Sequence, residues 1–153
     1  MRRSRLSLGL LLAVVILAVP TAALANKRLY SADLVNGQGA QKGSAVVGTN
    51  QDGTMRYQVV ARGLTTPVTA AHIHSAVDGS ILVTLCGSGA GIPACVPAPG
   101  DPNSVLINGN ITPAMMAVPG GTVNSLLSAE MTYINVHTTA NPGGEVSGTL
   151  FAH

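Results

Sequence analysis

From Leu29 onward, polar and apolar positions alternate in short runs, the period-2 pattern of strands that bury one face. The clearest run is Thr54 to Arg62. There Met55, Tyr57, Val59 and Ala61 point one way and Thr54, Arg56, Gln58 and Arg62 the other, with Val60 the one exception. A first strand is predicted over Leu29–Leu34, with Tyr30, Ala32 and Leu34 on one face. Asn36-Gly37-Gln38-Gly39 breaks it, and a small-residue strand follows over Ala45–Gly48. Val105–Ile111 predicts another strand, ended by Pro113. The one helical candidate is Val123–Ala129, with Thr122 as its N-cap behind Gly120-Gly121.

Two segments read as hairpins. In the second, Tyr133, Asn135 and His137 alternate with Ile134 and Val136, and Asn141-Pro142-Gly143-Gly144 supplies a turn: Pro142 fixes its own φ, and glycine accepts φ > 0. Val146 and Leu150 then return at strand spacing, which places His137 and Glu145 on the same polar side near the turn. In the first, Ala71-His72-Ile73-His74 puts two imidazoles on one face and Ile73 on the other. Asp78-Gly79 turns the chain into Ile81–Leu85. Together the hairpins hold every histidine except His153.

The stretch AAHIHSAVDGSILVTL, followed some fifty residues later by YINVHTTANPGGEVSGTL, resembles the CHRD domain, a family named after chordin and also found in secreted bacterial proteins. The resemblance runs from about Leu29 to Phe151. The chain departs from the family pattern at Ser75-Ala76, where Gly-Pro is usual, and at Glu130, where a glycine often precedes the tyrosine. The resemblance implies an extracellular β-sandwich-like domain and, for bacterial members, no established biochemical activity. The expected fold is therefore all-β: an antiparallel sandwich, Ig-like or superoxide-dismutase-like Greek key, of about seven or more strands with one short helix.

The N-terminus changes the charge picture. Arg2, Arg3 and Arg5 precede an apolar stretch from Leu6 to Val19, and Pro20 and Ala23-Leu24-Ala25 complete the pattern of a signal peptide over residues 1–25. At fourteen residues that stretch is shorter than the roughly 20 that span a bilayer. A single domain is expected over 26–153, secreted or periplasmic, with no membrane span once the leader is cleaved. In it five Lys and Arg face six Asp and Glu, a net charge of −1. A near-neutral domain with 3% aromatic residues lacks the phosphate-neutralising charge and stacking platforms of nucleic-acid binding.

Cys86 and Cys95, the only cysteines, most simply form a disulfide in an exported protein; a free thiol and a metal-ligand role are the alternatives. The Gly87–Gly91 run between them is loop, because no helix follows whose N-terminus would hold a phosphate. Met115-Met116 reads as core filling rather than a soft copper site. Asn110-Ile111-Thr112 is a weak glycosylation sequon.

The candidate chemistry lies in His72, His74 and His137, with Glu145 as orienter or fourth ligand. Neutral imidazoles and a carboxylate suit zinc or copper(II). The H-x-H strand with a distant V-H strand also resembles copper, zinc superoxide dismutase, but the chain lacks that enzyme's additional ligating histidines, so redox catalysis does not follow. The competing reading is a polar network that pins the hairpins without metal. Periodicity leaves both open, because it fixes the face of each side chain and not the distance between strands. A hydrolase is disfavoured: no G-x-S-x-G elbow and no close carboxylate pair occurs. Since chordin binds growth factors outside the cell, the resemblance implies a non-enzymatic binding or structural module. Its partner would be an extracellular protein or a cell-surface ligand. A zinc- or copper-binding protein using the HIH and NVH histidines is the second reading.

Overall fold

The computed structural model describes residues 28–153, and the leader expected over residues 1–25 lies outside them. Strands β1 (Arg28–Asn36), β2 (Gln41–Thr49), β3 (Met55–Ala61), β4 (Val68–Ser75), β5 (Ile81–Cys86) and β6 (Val105–Ile111) precede helix α1 (Gly120–Ser128). Then come β7 (Thr132–Thr138), β8 (Val146–Thr149) and β9 (Phe151–Ala152). Every pairing is antiparallel, in the order β5-β4-β7-β8-β1-β2-β3-β6, with β9 on β1.

The all-β, antiparallel, one-helix architecture is thus as expected, but its strands are not divided into two separate sheets. They form one sheet that curls into a nearly closed barrel, with β5 and β6 as its two ends. Side-chain bonds and one backbone bond outside the ladder close the seam between them. The buried Tyr57 hydroxyl on β3 donates to the Leu85 carbonyl on β5 over 2.9 Å. Leu106 N–H on β6 donates to the Val96 carbonyl at 2.8 Å, and the Cys86–Cys95 disulfide joins the end of β5 to that same segment.

The alternation sets what faces inward. Tyr30, Ala32 and Leu34 of β1 are buried, as are Met55, Tyr57, Val59 and Ala61 of β3. Ile73 and Ile134, cross-strand partners on β4 and β7, are fully buried, and burying each contributes roughly 1.5–3 kcal/mol. Met115 lies in the core with Met116 packed against it, in keeping with gap filling.

Helix α1 adds Val123 and Leu127 to the core. It begins three residues earlier than predicted: Pro119 is the N-cap, and Thr122 N–H donates to the Pro119 carbonyl at 2.9 Å, so Thr122 lies inside the first turn. At the other end Met131 N–H donates to the Leu126 carbonyl and Glu130 N–H to the Leu127 carbonyl, the two bonds of a Schellman closure. That closure needs a left-handed residue, and Glu130 takes it with φ 56°, the one non-glycine residue with positive φ among the described residues. A glycine would hold that conformation without steric cost.

Candidate metal centre

Strands β4 and β7 carry the three histidines on the outer face of the sheet. Because Ala71 and Ile73 point into the core, their neighbours His72 and His74 must point out, and the same alternation on β7 turns Ile134 and Val136 inward and His137 outward. The register sets His72 opposite Asn135, His74 opposite Tyr133 and His137 opposite Ala70. His72 and His137 therefore meet diagonally, with 4.8 Å between ring centroids, and His74 lies 5.4 Å from His72 and 6.0 Å from His137.

Each hairpin turn fixes one ring. His74 Nδ1 lies 2.9 Å from the Gly79 carbonyl, and His137 Nδ1 lies 2.9 Å from the Pro142 carbonyl. A carbonyl only accepts, so both Nδ1 atoms carry a proton, and in the neutral ring Nε2 is then the nitrogen with the lone pair. His72 Nδ1 then donates to His137 Nε2 at 3.0 Å. His74 Nε2 has no partner although the residue is only 7% exposed, its ring stacked at 14° on Tyr133. A buried acceptor without a donor costs about 1–3 kcal/mol.

Burial, reinforced by the neighbouring His137 and His74, pushes the pKa of His72 from 6.5 down to about 4. Burial also lowers that of His137; the Pro142 carbonyl opposes the shift and His74 adds to it. Both rings are neutral at pH 7, the form in which imidazole binds a metal.

One candidate nitrogen from each ring lies within 4.8 Å of the others. Two ligands of one zinc must lie about 3 to 4 Å apart; His72 Nδ1 and His137 Nε2 have that spacing and become two donors when the His72 proton moves to its Nε2, while the His74 ring closes in as the third. The Nδ1–H bonds from His74 and His137 to backbone carbonyls are the outer contacts that orient metal-bound imidazoles.

Glu145 does not join this group. Its Oε1 accepts from the Thr65 N–H at 2.7 Å, and its Oε2 accepts from the Thr65 and Thr138 hydroxyls at 2.8 and 2.7 Å and from Asn141 Nδ2 at 3.1 Å. Burial alone would raise its pKa, but these bonds outweigh that and lower it. The carboxylate ties the loop after β3 to the β7–β8 turn. Cys86 and Cys95 are consumed by their disulfide. Asn141, Pro142, Gly143 and Gly144 form the expected turn, with Gly144 N–H donating to the Asn141 carbonyl at 3.0 Å.

Sequence reasoning missed Tyr133 as the wall behind His74 and the carbonyls of Gly79 and Pro142 as orienting acceptors. A signal for the carbonyls was present: each lies five residues after the histidine it holds, in the turn that follows the strand.

The family model for the CHRD domain matches residues 26–150. No curated protein and no solved structure gives a match.

Proposed function

The chain belongs to the CHRD domain family, and from that membership and the outer-face imidazole cluster we propose that it is an exported, non-enzymatic module that holds a zinc or copper(II) ion on His72, His74 and His137. The observation that carries this reading is His74 Nε2, buried and unpartnered beside two other imidazoles, while Nδ1 of the same ring is held by the Gly79 carbonyl. A purely structural network would be expected to satisfy that atom. Backbone carbonyls hold the other side of the His74 and His137 rings instead, as outer-shell support for a ligand does. Three nitrogen donors without a thiolate suit zinc or copper(II).

Export is part of the proposal: residues 1–25 act as a cleaved leader, and residues 26–153 are the mature domain in a secreted or periplasmic setting. The Cys86–Cys95 disulfide supports an oxidising compartment. Among the described residues no helix is long and apolar enough to cross a membrane.

The test is elemental analysis of the untagged mature protein, loaded with zinc or copper and dialysed. The expected result is one ion per chain, with His72→Ala and His137→Ala retaining less than about a tenth of it. Absence of metal after loading, or full retention by both variants, would leave the histidines as hairpin pins.

A further inference from the structure

The donor set leaves this site electrically and coordinatively incomplete. Among the described residues no carboxylate or thiolate lies in the histidine group. Three neutral imidazoles leave the full charge of a divalent ion uncompensated, and a tetrahedral zinc would have one position unfilled. Glu145, the nearest carboxylate in the hairpin, is engaged by the Thr65 amide, two hydroxyls and the Asn141 amide, all of which would lose their acceptor if it turned to the metal. His74 is buried, but His72 and His137 are only half-buried, so the cluster faces solvent from their side.

We propose that the ion held by His72, His74 and His137 keeps a coordination position open on the outer face of the barrel, and that a small anion with an oxygen or nitrogen donor, of the carboxylate or azide class, binds there. The inference rests on the metal reading above and adds what that ion exchanges with. Binding displaces a metal-bound water and forms one metal–anion bond, with no redox change. The absence of a protein carboxylate favours an anionic incoming group, because it would supply the charge that the donor set lacks.

The experiment uses the mature protein loaded with cobalt(II), whose visible d–d bands report its coordination, titrated separately with sodium azide and sodium acetate. A saturable change in the bands, with one anion per cobalt, is expected for the native protein and, at similar amplitude, for Glu145→Gln. Bands that appear on loading but ignore both anions would overturn the inference and leave the metal site standing. A response confined to Glu145→Gln would also overturn it, by showing that Glu145 fills the position. Failure of cobalt to give any protein-dependent bands would sink the metal reading and this inference together.

Discussion

Replacing Gly144 by alanine tests how the β7–β8 turn supports the histidine cluster. Gly144 has φ 117°, a conformation that side-chain-bearing residues rarely adopt, and a Cβ there would overlap the Asn135 amide. The amide is the end of a flexible side chain and can swing away, but it then gives up its Nδ2 bond to the Gly143 carbonyl at 3.1 Å. The backbone strain costs about 1–3 kcal/mol and the lost hydrogen bond about 1 kcal/mol. At about 4 °C per kcal/mol for a domain of this size, the sum of about 2–4 kcal/mol lowers the thermal midpoint by roughly 10 °C. The same turn carries the Pro142 carbonyl that orients His137. Losing such a partner typically weakens metal affinity about 10–100-fold. Thermal unfolding and a zinc titration on Gly144→Ala measure both effects. An unchanged midpoint with native zinc affinity would refute the reasoning from turn to site.

Further outcomes are expected. The Cys86→Ala/Cys95→Ala double variant should unfold about 10 °C lower, because a disulfide across a separation of 9 residues is worth about 2–3 kcal/mol in the loop-entropy model; a shift below about 2 °C would count against that account. For the metal-free protein, the His72 pKa of about 4 folded against 6.5 unfolded means that the unfolded chain takes up the proton first as pH falls. Stability should therefore be complete above pH 6.5 and decline between 6.5 and 4. After discounting for the half-exposed ring the loss is about 1–2 kcal/mol, with His137 adding in the same direction. Glu145, whose pKa is lowered from 4.5, loses its contribution only as pH falls further through its folded value. Urea midpoints at pH 8, 6 and 4.5 check the sign, and His72→Ala should flatten the slope; a midpoint that rises on acidification would contradict it.

Much of the fold was legible because alternation is a local property. Tyr30, Ala32 and Leu34, and the odd-numbered residues from Met55 to Ala61, were assigned to one face by spacing alone and are buried together. The single curled sheet was not legible, since it depends on which strands meet: β3 passes its last ladder to β6, fifty residues on, and the seam rests on Tyr57 and the Cys86–Cys95 segment. The helix start was misplaced because Thr122 has the chemistry of a cap, whereas Pro119 sets the first turn through its carbonyl. For the site, period-2 spacing put His72, His74 and His137 on polar faces, but their convergence follows from the β4–β7 register, a non-local quantity. Glu145 shows the limit most clearly. Its place beside the turn was readable, yet two of its four hydrogen bonds come from Thr65, eighty residues earlier, which no local pattern connects to it.

The most direct measurement of the central claim is X-ray absorption at the zinc edge of the loaded mature protein. The expected spectrum shows three imidazole nitrogens at about 2.0–2.1 Å, one further light donor and no sulfur. A sulfur shell at about 2.3 Å, or a shell of oxygens without the imidazole signature, would contradict the assignment of the site to His72, His74 and His137.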